Sequence, residues 1–215
     1  PTGLVAVYVK WENHTVASIN LENVPAFLYR KDLHIDLAGY GDVSVDIGYG
    51  GNFFVLADVH SLGLTITKDT VNLLRSLSKD ILAAANKVIK VAHPTNPAIN
   101  YLDQVLFCQN VPEEDGGYLA QCIFGDAQAD ISPCGTGTST RLAQRYFRGL
   151  IGLEETFVQK SVCGGAFHAK GLRETTLGGV PAIVPYVSCS DVHITGFNHL
   201  IVEENDKLKN GFVSW

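Results

Sequence analysis

The chain has 215 residues and a formal net charge of −6, and no apolar run is long enough to span a bilayer. A chain of this length can bury a core of its own, as one large domain or two small ones. Its lysines and arginines form no basic stripe, so we expect neither a nucleic-acid nor a membrane partner. The five cysteines are odd in number and include no Cys-x-x-Cys pair, which predicts reduced thiols, a cytoplasmic protein and no metal site.

The first 58 residues have the pattern of strands. Apolar and polar residues alternate through 1–38, and Pro25 predicts a bend or a strand edge within that range. A second strand pair is predicted at 43–47 and 53–58, separated by the glycine-rich turn 48–52. The bare backbone of this turn and Asn52 either serve only the turn geometry or approach a ligand; the sequence leaves both interpretations open.

A long amphipathic helix is predicted next, from an N-cap at Thr67 to Lys90. The apolar face of this helix indicates a packing element and consists of Val71, Leu74, Leu77, Ile81, Ala85 and Val88.

Two features follow the helix. We assign no catalytic role to His93, and a charged turn is predicted at 113–117.

Residues 130–149, DISPCGTGTSTRLAQRYFRG, predict a tight turn that leads directly into a helix. A short strand at 121–125 precedes the turn, Pro133 lies just before the helix, and Gly149 is a natural stop. Gly135 and Gly137, in the first turn, lower the stability of the helix. Their presence indicates that the function of this turn requires backbone without side chains at these positions.

Cys134 lies at the start of this helix. Unpaired N–H groups at a helix start bind anions, and the same positive end stabilises a thiolate. The segment therefore offers a reactive sulfur beside a cradle for a carboxylate. The alternative is a glycine-rich loop with a buried, inert cysteine.

Short strands are predicted after this helix at 157–162, 167–170, 182–187 and 200–202, separated by glycine-rich turns. Cys163 is also followed by glycine, but no helix pattern follows it. It therefore lacks the geometry that stabilises a thiolate, and we do not assign it a catalytic role.

The string from Asp130 to Ser139, D-x-S-P-C-G-T-G-T-S, closely resembles the second cysteine motif of the proline racemase family, which includes hydroxyproline epimerases. Further matches extend over nearly the whole chain, among them VDIGYGGNFF (45–54) and VAHPTNPAIN (91–100). Enzymes of this family work without a cofactor and place two cysteines on opposite faces of the substrate α-carbon. The first motif of the family, Cys-Gly-His, does not occur here, so the chain resembles a member without its first third.

The resemblance implies a role for each of five residues. Cys134 is the catalytic base, and the N–H groups of Gly135 and Thr136 bind the substrate carboxylate. Asp130 contacts the substrate ammonium, unless it only stabilises the turn. Phe124 packs against the substrate ring, unless it is a core aromatic. The resemblance implies no metal and no cofactor, with proline or a hydroxyproline as the substrate.

The implied fold class is α+β, with two similar lobes as in diaminopimelate epimerase, each a barrel-like sheet around a central helix. Residues 1–38 are then a remnant of the first lobe, 39–190 form the second lobe, and 191–215 supply a return strand and tail to the first lobe. The partner is expected to be a second copy of the chain, as a homodimer, or a complementary upstream segment. The isolated chain is expected to be inactive.

One departure from the family pattern is Ile131, where the family usually has arginine. The loss of a guanidinium indicates altered specificity or decayed activity. An alternative function is therefore a catalytically silent relative or fragment that binds a ligand or partner without turnover. Relatives that dehydrate trans-3-hydroxyproline typically carry threonine at the position of Cys134, which argues against that branch.

Overall fold

The computed structural model describes residues 3–110 and 117–211. Within these ranges eleven strands and two α-helices confirm the predicted α+β class. Most of the turn predicted at 113–117, and residues 212–215, lie outside the described residues. The helices are α1 (Val71–Val88) and α2 (Gly135–Phe147), and the strands are β1 (Ala6–Glu12), β2 (Thr15–Glu22), β3 (Phe27–Leu37), β4 (Gly41–Tyr49), β5 (Phe53–Asp58), β6 (Gln104–Asn110), β7 (Gly117–Phe124), β8 (Gln128–Ala129), β9 (Phe157–Lys160), β10 (Ala166–Leu177) and β11 (Val180–Cys189).

The strands form one sheet that closes on itself. Its order is β1-β2-β11-β10-β9-β7-β6-β5-β4-β3, with β8 paired to β7. Ala26, just before β3, exchanges both backbone hydrogen bonds with Ile183 of β11, at 2.8 and 2.9 Å. This contact joins the two ends of the path from β3 to β11, which produces the expected barrel-like sheet and leaves the β1–β2 hairpin as an extension beside β11.

Helix α1 packs mainly against β3 and β6, and to a smaller extent against β7 and β5. Four residues of the predicted apolar face are buried and share a core with Phe53 and Val55 of β5: Leu74, Leu77, Ile81 and Ala85. The prediction is wrong for Val88, which is 57% exposed at the C-terminal end of the helix, and Val71 is only half-buried. The N-cap of the helix is Thr70, three residues after the predicted N-cap at Thr67. The N–H and hydroxyl of Thr67 instead contact Thr70, forming a separate turn before the helix. His93, just beyond α1, is buried, and the centroid of its ring lies 4.8 Å from the centroid of the Tyr49 ring. This packing indicates a structural role.

Helix α2 lies inside the barrel and packs against β3, β4, β10 and β11. Its second turn is polar yet fully buried, which normally carries a desolvation cost. Each hydroxyl there is satisfied: Thr138 donates to Pro133 O at 3.2 Å, Ser139 to Gly135 O at 2.9 Å and Thr140 to Thr136 O at 2.8 Å.

The glycine-rich turn between β4 and β5 makes room for α2. A Cβ on Gly50 would lie 2.6 Å from Thr136 O and from Thr140 N, closer than real Cβ contacts come. Asn23 ties the same two elements together, since its amide donates to Gly50 O at 3.0 Å and to Ser139 Oγ at 2.9 Å. Of the two interpretations of this turn, the structure favours the geometric one: the bare backbone approaches the helix.

An ion pair between a half-buried arginine and a buried carboxylate anchors the other end of α2. Arg148, which caps the helix C-terminus, donates from two nitrogens to both carboxylate oxygens of Asp46, at 2.7 and 2.6 Å. Gln144 and the Asp32 N–H donate to the same carboxylate. A cation at a helix C-terminus is also favoured by the helix dipole. Both ends of α2 are therefore fixed to β4 or to the turn that follows it.

Two of the predictions concern the strand at 200–202 and the boundary after residue 38. The strand predicted at 200–202 is wrong, because residues 190–211 pair with no described strand and a lone strand has no ladder to satisfy its backbone. The boundary after residue 38 falls between β3 and β4, which pair with each other and share one core. β3 therefore packs with strands of the predicted second lobe, while the division into lobes stays a prediction.

The β1–β2 hairpin and residues 190–211 expose many large apolar side chains. In β1 these include Val7, Tyr8 and Trp11, and in the tail Phe197 and Leu200. Such a density of exposed apolar residues exceeds what isolated surface positions explain. Within the described residues, neither helix is both long and apolar enough to cross a membrane.

The close approach of Gly50 to α2 can be tested by substitution. Gly50→Ala should destabilise the protein by about 1–3 kcal/mol, because the new Cβ would overlap helix backbone that cannot move aside. Gly152→Ala is the matched control, since its Cβ would meet only Glu155 side-chain atoms at 3.5 Å or more. Urea unfolding measures both variants. Equal stabilities would show that the turn is not tightly packed against the helix.

Candidate functional site

The turn before α2 is built by a relay of hydrogen bonds. β8 folds back on β7, and the Asp130 N–H donates to Cys122 O at 3.0 Å. The Ser132 N–H then donates to Asp130 Oδ1 at 2.8 Å, and the Cys134 N–H donates to Ser132 Oγ at 3.0 Å. Asp130 therefore has the turn-stabilising role that the sequence allowed, and the relay fixes where Cys134 meets the helix.

Cys134 is the N-cap of α2, with φ 66° and ψ 109°. A positive φ is uncommon for a residue other than glycine and indicates a conformation imposed by its surroundings. The Gly137 N–H donates to Cys134 Sγ at 3.3 Å, and Thr136 Oγ1 lies 3.7 Å from the sulfur. A Cβ on Gly137 would come within 3.1 Å of that sulfur. Glycine at 137 therefore makes room for the thiol.

Gly135 and Thr136 complete the first turn of the helix and are half-buried. Their N–H groups find no acceptor among residues 3–110 and 117–211, as expected at a helix N-terminus. A Cβ on Gly135 would meet nothing within 4 Å, so the space beside these donors is open. The two N–H groups can therefore accept an anion next to the sulfur of Cys134.

Cys122 is the residue that the sequence analysis missed. It lies in β7, is buried, and its sulfur lies within 4.8 Å of the Cys134 sulfur. The neighbouring Cys122 thiol lowers the pKa of Cys134, and the Gly137 N–H and Thr136 hydroxyl add to the effect, while burial and the Asp130 charge oppose it. The neighbouring Cys134, together with burial, raises the pKa of Cys122. The pair is thus polarised, with Cys134 the more acidic of the two thiols.

Asp130 and Phe124 lie close to the same two cysteines. A carboxylate oxygen of Asp130 and the sulfurs of Cys122 and Cys134 all lie within 4.8 Å of one another. Asp130 Oδ2 receives no hydrogen bond from the described part of the chain, which leaves it available. Phe124 is half-buried, two residues beyond Cys122 in β7, and packs against the apolar cluster that contains both cysteines. All five residues singled out from the sequence therefore lie around the start of α2.

The other three cysteines lie in different settings. Cys108 is buried in β6 and Cys189 ends β11. Cys163 is exposed in the turn before β10, which contacts the site turn because Ser161 Oγ donates to Ile131 O at 2.8 Å. None of the three begins a helix. The Ile131 side chain, at the position of the family arginine, is 76% exposed.

A polar cavity of about 250 Å³ lies away from Cys134, toward the C-terminal half of α2. Arg141, Arg145 and Arg148 line it together with Asp46 and Asp58. The guanidinium of Arg141 is buried and donates to backbone carbonyls and the Asn110 amide rather than to a carboxylate of the described residues. This cavity offers cationic groups but no nucleophile poised at a helix N-terminus.

The coupling between the two thiols predicts a shift in reactivity. Removing the Cys122 thiol should raise the pKa of Cys134, since a donor to its thiolate is lost. In Cys122→Ala the alkylation of Cys134 by iodoacetamide should therefore begin at higher pH than in the unsubstituted protein. Peptide mass spectrometry at limiting reagent measures this from about pH 6 to pH 9.

Cys108→Ala is the control for this experiment, because Cys108 belongs to the same apolar cluster but lies outside the group formed by Cys122, Asp130 and Cys134. It should leave the pH profile of Cys134 unchanged. Identical midpoints for Cys122→Ala and the unsubstituted protein would contradict the proposed polarisation of the pair.

Comparison with known proteins places the chain in a family. The protein-family model described as proline racemase matches residues 1–213 of the chain. The chain is 37% identical over 214 residues to a trans-3-hydroxy-L-proline dehydratase of Burkholderia cenocepacia (strain HI2424), and 36% identical over 213 residues to a proline racemase of Acetoanaerobium sticklandii. Each alignment covers 99% of this chain and 63% of the relative.

A solved structure is similar over the same extent. The hydroxyproline epimerase of Agrobacterium vitis, with bound trans-4-hydroxy-L-proline, matches with a TM-score of 0.84 and 30% identity, covering 99% of this chain and 60% of that one. The chain therefore spans less than two thirds of these relatives. With a family model that matches almost every residue, the chain belongs to the proline racemase family.

Proposed function

We propose that the chain supplies one of two acid–base groups that invert the α-carbon of proline or a hydroxyproline, and that this group is Cys134. The observation that carries the proposal is the position of Cys134 at the N-cap of α2, where its sulfur accepts from the Gly137 N–H and lies beside the two unpaired N–H groups of Gly135 and Thr136. A thiolate is the form that accepts a proton, and the adjacent donors suit a carboxylate. No metal and no cofactor is required by this chemistry.

In the proposed reaction the substrate carboxylate accepts hydrogen bonds from the N–H groups of Gly135 and Thr136. Asp130 Oδ2 accepts from the substrate ammonium, and the ring packs against Phe124. The Cys134 thiolate takes the α-proton, and the electron pair left on the α-carbon delocalises into the carboxylate, where the two N–H donors stabilise it. A second acid on the opposite face then delivers a different proton, which inverts the centre.

The opposing acid has no candidate at a second helix start among the described residues. We propose that it comes from outside these 215 residues, on an upstream segment or on a second copy of the chain. The fact that the chain spans only 63% of the matched racemase supports this, as do the exposed apolar residues of the β1–β2 hairpin and the tail. By itself the chain is then inactive.

Racemisation or epimerisation is favoured over dehydration for this chain because the residue at the helix start is cysteine. Relatives named as dehydratase and as racemase are equally similar, so overall identity does not choose between them. Ile131 in place of the family arginine removes a cationic group beside the site and motivates the alternative, a relative that binds without turnover. The five free cysteines fit a reducing, cytoplasmic setting.

The proposal is tested by loss of the α-proton signal of L-proline or trans-4-hydroxy-L-proline in deuterated water. The chain fused to the upstream segment of the Acetoanaerobium sticklandii racemase should catalyse exchange and inversion. Cys134→Ser should abolish both, since a hydroxyl is too weak a base at neutral pH. Cys163→Ser, at an exposed turn, is the control and should retain activity. The isolated chain should not racemise either substrate.

Three outcomes would contradict parts of this account. Exchange by the fused protein that persists in Cys134→Ser would show that Cys134 is not the base. Racemisation by the isolated chain, abolished by Cys134→Ser, would place the opposing acid within these 215 residues. A calorimetric signal with the planar mimic pyrrole-2-carboxylate, without any exchange in the folded fusion, would favour binding without turnover.

A further inference from the structure

Three potential metal ligands converge beside the start of α2. The sulfurs of Cys122 and Cys134 and a carboxylate oxygen of Asp130 lie within 4.8 Å of one another. The cysteines are only 1% and 7% exposed, whereas Asp130 is half-buried and connects the group to solvent. The lack of a Cys-x-x-Cys pair predicted no metal site, but these ligands lie on β7 and on the turn before α2, at spacings that a Cys-x-x-Cys pattern does not detect.

The backbone holds this group in place. The β7–β8 pairing and the bond from the Asp130 N–H to Cys122 O connect the first two ligands. The Gln121 amide bridges Cys122 O and Asp130 O, at 3.0 and 2.9 Å, and the Ser132 relay connects Asp130 to Cys134. Because all three positions are fixed by main-chain contacts, few conformational changes are needed before an ion can bind.

Two thiolates and one carboxylate suit a borderline-soft divalent ion such as Zn²⁺ or Cd²⁺. Zn–S bonds of about 2.3 Å and Zn–O bonds of about 2.1 Å place tetrahedral ligands roughly 3.6 Å apart, so the ligands need to approach by at most about 1 Å. Asp130 Oδ2 has no partner in the described structure, so it can bind the ion while Oδ1 keeps its hydrogen bond from the Ser132 N–H. The Gly137 N–H can still donate to Cys134 Sγ and so support the bound thiolate.

We propose that Cys122, Asp130 and Cys134 form a binding site for one Zn²⁺ or Cd²⁺ ion, with an open fourth position for water. Each thiol that is protonated before binding releases its proton to solvent as its metal–sulfur bond forms, so affinity rises with pH. The assignment rests on the geometry of the three ligands and is independent of the proposed reaction. If Cys134 is also the base, the ion blocks it and acts as a reversible inhibitor.

The test is a titration of the reduced, metal-free chain with Cd²⁺. The ultraviolet thiolate-to-cadmium charge-transfer band and equilibrium dialysis should show one ion per chain. The double variant Cys163→Ser/Cys189→Ser removes the two accessible thiols outside the group and should bind equally well. Cys122→Ser should weaken binding by about a hundredfold or more, and Asp130→Asn should weaken it to a smaller extent.

Circular dichroism and thermal unfolding establish that each variant is folded, and Cys108→Ser controls for loss of a buried thiol outside the group. Binding that disappears in Cys163→Ser/Cys189→Ser would assign the ion to surface thiols and overturn the proposal. Binding unaffected by Cys122→Ser, or no charge-transfer band at stoichiometric Cd²⁺ in the folded chain, would also overturn it. None of these readouts depends on turnover.

Discussion

Helix α2 can lie inside the barrel only because the turn between β4 and β5 has no side chain where it meets the helix. Gly50 lets the turn backbone approach Thr136 and Thr140 as closely as backbone atoms can, and Asn23 joins turn to helix. Arg148 and Asp46 fix the other end. With the helix held at both ends, the position of its N-terminus, and therefore of Cys134, is determined by the barrel rather than by a mobile loop.

The chemistry of the site then follows from one local arrangement. The Cys134 sulfur, at a helix N-cap, accepts the Gly137 N–H and lies close to the Thr136 hydroxyl and the Cys122 thiol, which favour its ionised form, although burial alone would favour the thiol. Burial and the neighbouring Cys134 raise the pKa of Cys122 and favour its protonated form. The same closeness of two sulfurs and a carboxylate that prepares a base also creates a set of soft metal ligands. A site that activates a thiol in this way is open to both proton transfer and metal binding.

The sequence predicted the site where the signal was local. The turn, the helix after Pro133 and the cap at Cys134 lie within a few residues of one another, so motif and propensity were enough. Cys122 could have been found from its spacing to Phe124, because residues two apart on a strand share a face. The contact between Gly50 and Thr136 joins distant parts of the chain, and no local pattern reports it. The strand predicted at 200–202 failed for the same reason, since propensity does not reveal whether a neighbouring strand is present.

The central claim is that the first turn of α2 binds the carboxylate of the ligand beside Cys134. Amide ¹H–¹⁵N chemical shifts of the 215-residue chain during titration with pyrrole-2-carboxylate test it most directly. We expect the largest shifts at Gly135 and Thr136, with little change around Arg141 and Arg145, which line the polar cavity toward the C-terminal half of α2. Shifts centred on those arginines, with Gly135 and Thr136 unmoved at saturating ligand, would contradict the account.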